Sequence, residues 1–192
     1  MSELIAVSNR HLCVGDFCTR IKSIAEYGIN IILREKDLCA AEYAELLRAV
    51  GSERIIPHTF ISTARKLGYK RIHLPLPVFE KNSQAVSEFE VSTSVHSLEQ
   101  LKKAETLGAV AVTAGHVFNT DCKSGIPGRG LDFVHEIKSA ANVPVYAIGG
   151  ITPDNAAEVL DAGADGVCVM SGFMRCGNIS EYISSFKNII DR

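Results

Sequence analysis

Apolar residues along this chain fall into short continuous blocks, separated by longer stretches where they recur every three or four positions. The blocks predict β-strands and the stretches predict amphipathic helices. Strands are expected at Leu4–Ser8, Ile29–Leu33, Arg54–Pro57, Arg71–Leu74, Glu90–Val95, Val110–Ala114, Val145–Ile148 and Gly166–Met170. Helices are expected near Cys18–Tyr27, Ala40–Val50, Phe60–Leu67, Gln84–Phe89, Leu98–Leu107, Leu131–Ala140, Asp154–Ala162 and Ile179–Asp191. One grammar recurs: a helical stretch, a glycine, then an apolar strand, at Gly28, Gly68, Gly108 and Gly163. The glycine suits the left-handed position that ends a helix, and the β-branched run after it suits a buried parallel strand. Alternating strands and helices imply a parallel sheet. Eight such units imply an α/β fold, a compact single-domain (β/α)8 TIM barrel over residues 1–192. A doubly wound open sheet is the alternative. Loops must be short in a chain of this length, except for the Gly-rich stretch Val117–Gly130 after the sixth strand.

Composition narrows the partners. Lys plus Arg total 20 and Asp plus Glu total 22, a net charge of −2, so no basic surface for nucleic acid or an anionic membrane is expected. Aromatic residues make up 7% and tryptophan is absent, which disfavours base-stacking platforms. No apolar run approaches the ~20 residues of a membrane span. Met1–Asn9 lacks the pattern of a signal peptide, which points to the cytoplasm. The six cysteines, at 13, 18, 39, 122, 168 and 176, show no C-x-x-C spacing. Buried free thiols are expected, with Cys39 and Cys168 in or beside apolar segments. An outer helix of a barrel could mediate a homo-oligomer.

In a barrel of this kind, active sites sit at the carboxyl ends of the strands. The seventh and eighth strands lead into Gly149-Gly150 and Ser171-Gly172. Loops at these positions frequently hold phosphate, aided by a helix N-terminus. Gly149 and Gly150 would let the backbone approach an anion, and Ser171 with Gly172 would add a hydroxyl and an N–H donor. The same glycines would equally serve plain tight turns. Arg34 and Lys36 are two apart and share one face. They offer charge to an anionic substrate if that face is the lumen, and flank a surface loop otherwise. His11, His58, His96 and His116 fall near strand ends, whereas His73 and His135 read as structural or surface residues. His116 joins a strand end to the long loop and is the candidate acid–base group, with a loop-anchoring hydrogen bond as its other role. No H-x-H or H-E-x-x-H spacing is present, so no metal site is expected.

At these positions the sequence resembles the thiamine phosphate synthase superfamily over nearly its whole length. The resemblance rests on Leu33-Arg34-Glu35-Lys36-Asp37, Ser94-Val95-His96-Ser97, the stretch Gly115 to Lys123, and Ala147-Ile148-Gly149-Gly150-Ile151. A synthase, which joins a pyrimidine diphosphate to a thiazole phosphate, is similar at Arg34, Lys36, Ser94 and Lys123. However, Ile32 stands where the synthase carries Gln, Pro57-His58 where it carries Asn-Asp, and Pro75-Leu76-Pro77-Val78 where it carries Gly-Gln-x-Asp. These groups handle diphosphate and magnesium, and Mg²⁺ sites need carboxylates. The segments Thr113–Phe118 and Thr120–Lys123 look more like the thiazole tautomerase (TenI) branch. That branch aromatises a dearomatised thiazole carboxylate phosphate. The resemblance implies His116 as its proton carrier and Gly149, Gly150, Ser171 and Gly172 as phosphate holders. Arg34, Lys36 or Lys123 would pair with carboxylate or phosphate, and His58 and Ser94 would touch substrate. It implies a small phosphorylated thiazole as partner and no cofactor, with Mg²⁺ only under the synthase alternative. A third alternative is a catalytically silent barrel that binds a thiamine precursor or a regulatory partner.

Overall fold

The computed structural model describes residues 2–120 and 125–191. Its strands are β1 (Glu3–Val7), β2 (Asn30–Leu33), β3 (Ile55–Pro57), β4 (Arg71–Pro75), β5 (Glu90–Val95), β6 (Ala111–Gly115), β7 (Val145–Ile148) and β8 (Gly166–Val169). The helices are α1 (Phe17–Glu26), α2 (Ala40–Val50), α3 (Ile61–Lys66), α4 (Leu76–Asn82), α5 (Leu98–Thr106), α6 (Gly130–Ala140), α7 (Ala156–Asp161), α8 (Ser171–Arg175) and α9 (Ile179–Ile190). Every strand pairs in parallel with its neighbours, in the order β3-β2-β1-β8-β7-β6-β5-β4. Pairing of β1 with β8 is what an open doubly wound sheet would lack. The remaining seam, between β3 and β4, is spanned by a single bridge from His58 to His73. There the Thr59 N–H also donates to the His73 carbonyl at 3.1 Å. The ring is thus nearly closed, a (β/α)8 barrel as the repeat predicts. The four repeat glycines all adopt positive φ, from 77° at Gly28 to 102° at Gly163, the left-handed helix ends expected of them.

Strand periodicity divides the core in two. Leu4, Ala6, Ile31 and Leu33 point outward and pack beneath the helices, with Tyr43, Leu47 and Phe186 among their neighbours. Ile5, Val7, Ile32, Ile56 and Cys168 point inward and form a separate apolar cluster with Tyr146, Ile148 and Met170. Across the lumen, β4 and β5 contribute polar groups instead: His73 bonds the hydroxyls of Ser92 (2.9 Å) and Ser94 (3.0 Å). The alternation of β5, Glu-Val-Ser-Thr-Ser-Val, places its valines under the helices and its serines inside.

Three local expectations are corrected. The fourth helix is Leu76–Asn82, and only a 3-10 turn occupies Gln84–Val86. Pro77 does not break it, because a proline in the first helical turn lacks only an N–H that has no intrahelical partner anyway. Ser171-Gly172 is not simply loop but opens the short helix α8. Cys39 is exposed at the N-terminus of α2, where its N–H donates to Glu42 Oε2 at 2.7 Å, whereas Cys168 is buried as expected. Cys122 lies outside the described residues. Among the described residues no helix is long and apolar enough to cross a membrane.

Tyr43 ties α2 to two strand ends. Its fully buried hydroxyl donates to the Leu33 carbonyl at 2.6 Å and accepts from the His58 N–H at 2.9 Å, and its ring stacks on Phe60 at 4.2 Å. Tyr43→Phe keeps the packing but removes both bonds. It should lower unfolding free energy by about 1–3 kcal/mol, read as a reduced urea midpoint at constant m.

Candidate active site

A cavity of about 970 Å³ opens at the carboxyl ends of the strands. Arg34, Lys36, His58, Ser94, His116, Gly149, Gly150 and Ser171 all line it. Lys123 lies outside the described residues. Gly172 is not part of the lining. A Cβ there would fall 1.8 Å from the Tyr182 hydroxyl, so the residue is small because α9 presses against α8. His11 is also absent from the lining: it is 66% exposed and pairs with Asp37 at 2.9 Å.

Period-two spacing carries Ile32, Arg34 and Lys36 on the lumen side, and Arg34 and Lys36 face the cavity rather than a surface loop. Partial burial, and then the neighbouring Arg34, depress the Lys36 ammonium below its ordinary value. Two cations held this close favour an anion between them. Between them in sequence, Glu35 turns the other way and is 2% exposed. It accepts from Ser8 Oγ (2.6 Å), from the Arg10 N–H (3.1 Å) and from the Arg10 guanidinium (3.3 Å). Ser8 Oγ in turn accepts from the Arg34 N–H at 2.8 Å. This network sets the backbone from which Arg34 projects. Sequence reasoning passed over Ser8 and used Glu35 only as part of a motif; its sole local signal was an acid alternating with two cations.

The lumen floor holds a histidine pair. His58 and His73 stack with ring centroids 5.7 Å apart. His73 is a cavity residue, not a surface one, and its link to Ser94 explains how that hydroxyl is held. His58 Nδ1 meets Thr59 Oγ1 at 2.7 Å, and Thr59 itself takes φ 69°, a strained value for a β-branched residue. Burial, with His73, Arg34 and Lys36 nearby, pushes His58 down to about 2. Burial and Arg34 push His73 down to about 4. Both imidazoles are therefore neutral near pH 7.

His116 sits at the end of β6, 4% exposed. Its Nε2 lies 3.2 Å from the Ile126 carbonyl. A carbonyl only accepts, so Nε2 carries the proton and Nδ1 keeps its lone pair. Nδ1 is buried and without a hydrogen-bond partner among the described residues. The β6–α6 loop lies directly against the end of β7: the Val117 and Phe118 N–H groups donate to the Ile148 and Gly149 carbonyls at 2.9 Å. A Cβ on Gly149 would come within 2.4 Å of His116 Cβ, and one on Gly150 within 2.7 Å of Phe118 Cβ. These glycines thus serve the approach of the loop, whatever else they hold.

Among the described residues, the carboxylates lining the cavity are Glu80 and Glu99, and Glu80 is paired with Lys103 at 2.6 Å. No group of three or more His, Cys, Asp or Glu that could hold a metal exists among the described residues. Magnesium bound with a diphosphate takes one or two carboxylates beside the phosphate oxygens, and in the described lining these are Glu80, paired with Lys103, and Glu99.

The ring of strands, the cations and the histidines around one mouth define a (β/α)8 barrel with a cavity at the customary end. The family model described as "Thiamine monophosphate synthase" matches residues 4–173, and the chain belongs to that family. Among curated relatives, the thiamine-phosphate synthase of Natronomonas pharaonis is 34% identical over 157 residues, covering 75% of this chain and 73% of its own. That of Moorella thermoacetica is 34% identical over 175 residues, covering 84% and 82%. The solved thiamine phosphate pyrophosphorylase of Pyrococcus furiosus superposes with a TM-score of 0.81 at 26% identity, covering 98% of this chain and 95% of that one.

The buried histidine pair carries a consequence for stability. An unfolded histidine titrates near 6.5. Below that pH the unfolded chain takes up protons that folded His58 and His73 refuse. Stability is therefore full above about pH 6.5 and falls as pH drops toward the folded values. The slope is at most about 1.4 kcal/mol per pH unit for each imidazole. Urea midpoints measured across this window should fall with pH, and less steeply in His73→Gln; an unchanged slope in that variant would clear His73 of the effect.

Proposed function

We propose that this barrel is a thiazole tautomerase, aromatising a phosphorylated, dearomatised thiazole carboxylate without a cofactor. The observation that carries the reading is that the His116 imidazole lines the cavity at the end of β6, with its Nε2 held at 3.2 Å by the Ile126 carbonyl. The reaction removes a proton from ring C2 and returns one to the exocyclic carbon. One imidazole that reaches both carbons takes the first proton as base and delivers it as acid. The phosphate lies against the backbone of Gly149 and Gly150 and the Ser171 hydroxyl at the start of α8. Arg34 and Lys36, with Lys123 from the long loop, meet the carboxylate or phosphate, and Ser94 and His58 complete the wall. Neutral His58 and His73 leave the carbanionic character of the transition state to be met by His116 and the cations. The protein acts as a soluble cytoplasmic enzyme.

The names of the relatives by themselves favour a second reading, a thiamine phosphate synthase. Arg34, Lys36 and Ser94 are common to both. Against it, Ile32, Pro57-His58 and Leu76-Pro77-Val78 stand where the resemblance expects the synthase's diphosphate and magnesium groups.

Two assays separate the readings. With the dearomatised thiazole phosphate, wild type should produce the aromatic ring absorbance, and His116→Asn should slow this by about 100-fold or more. With the pyrimidine diphosphate, thiazole phosphate and Mg²⁺, no thiamine phosphate should form. Product in the second mixture alone would make the chain a synthase, and ligand binding without turnover in either would make it a silent barrel.

A further inference from the structure

His96 follows β5 and lines the same cavity as His116. Its main chain is fixed by the start of α5: the His96 N–H donates to Gln100 Oε1 at 2.8 Å, while Ser97 Oγ accepts from the Gln100 N–H at 3.2 Å. Its ring reaches sideways to the neighbouring strand, where Nδ1 lies 2.6 Å from the Gly115 carbonyl. The carbonyl can only accept, so Nδ1 is the protonated nitrogen. Gly115 is the residue before His116, and it is confined from the opposite side as well. A Cβ on it would fall 2.5 Å from Ile148 Cγ2 on β7. Beyond it, the His116 carbonyl accepts from the Arg129 N–H at 3.0 Å. The peptide that carries the His116 Cα is thus gripped from β5 by His96, from β7 by packing, and from the far end of the long loop by Arg129.

We propose that His96 is a positioning residue for His116, acting through its Nδ1–H on the Gly115 carbonyl. The inference rests on the proton-transfer role proposed for His116. Releasing the Gly115 carbonyl lets that peptide rotate, which swings the imidazole relative to a substrate held by the phosphate loops. Misplacement of this kind lowers turnover more than binding.

Three variants test it. The side-chain NH₂ of asparagine can stand near the histidine Nδ1 position, that of glutamine near Nε2, and leucine supplies neither. His96→Leu should lower kcat by about 10- to 100-fold with little change in KM. His96→Asn should recover most of that loss, and His96→Gln should not. The His116 ring Cε1–H resonance of the substrate-free protein should shift in His96→Leu and return in His96→Asn. Asparagine as impaired as leucine, or glutamine better than asparagine, would overturn the proposal and make His96 a proton carrier through Nε2. An unmoved His116 resonance in His96→Leu would overturn it too. Should the leucine variant not fold, the contrast between asparagine and glutamine decides. If wild type fails to turn over the thiazole, the tautomerase reading falls, and the His116 resonance still judges the positioning role.

Discussion

The architecture of the site depends on one close approach, that of the β6–α6 loop to the end of β7. Backbone hydrogen bonds at 2.9 Å tie Val117 and Phe118 to Ile148 and Gly149, and at this distance there is no room for side chains on the glycines. Gly115, Gly149 and Gly150 each sit where a Cβ would come within 2.4–2.7 Å of the facing segment. Gly128, farther along the loop, meets the Val117 carbonyl in the same manner. These four positions let the described ends of this Gly-rich connection pack against the end of β7 and against each other, with His116 lining the cavity. Gly149 and Gly150 have positive φ of 112° and 67°, so both shape and backbone conformation select against a larger residue. A phosphate site at these loops would share the glycines with that approach, so holding an anion and placing the imidazole are one structural problem.

A second constraint is the division of the lumen. One wall, from β1, β2, β3, β7 and β8, is apolar and fills the barrel as an ordinary core. The other, from β4 and β5, is a hydrogen-bonded group of His73, Ser92 and Ser94. Burying a polar wall is tolerable because its members satisfy one another. It gives the cavity a floor that is uncharged near neutrality, beneath a rim that carries Arg34 and Lys36. Charge is thereby kept on Arg34 and Lys36 at the mouth, near enough to the β3–β4 seam to help hold His58 and His73 neutral.

Much of this was legible along the chain, for reasons that can be named. The four helix–glycine–strand repeats report the local requirement for a left-handed residue at a helix end; with the four further apolar blocks they count the eight βα units. The two-residue spacing of Arg34 and Lys36 reports the pleat of an extended chain, and both face the cavity. Barrel geometry, which assigns function to strand ends, points to His116, Ser94 and the Gly149-Gly150 pair, and all of them line the cavity. Other members escaped. His73 looks like a strand interior residue, and only its cross-strand contacts to Ser92 and Ser94 place it on the lumen floor. The fourth helix, expected near Gln84–Phe89, forms instead at Leu76–Asn82, with Pro77 in its first turn. Gly172 resembled a phosphate donor by position, while its missing side chain answers to Tyr182 on a helix ten residues later in the chain.

What the sequence determined by itself is therefore whatever depends on neighbours within a few residues: element type, helix ends, the alternation of inward and outward side chains, and so the fold. What only the tertiary structure decided are contacts between strands and loops far apart in sequence. These include the link from Ser8 to Glu35, the histidine pair across the seam, and the hold of His96 on Gly115. Such contacts are set by barrel closure, which brings together residues that carry no local trace of each other. Local periodicity can say which way a side chain points, but the identity of the group it meets is fixed only when the ring closes.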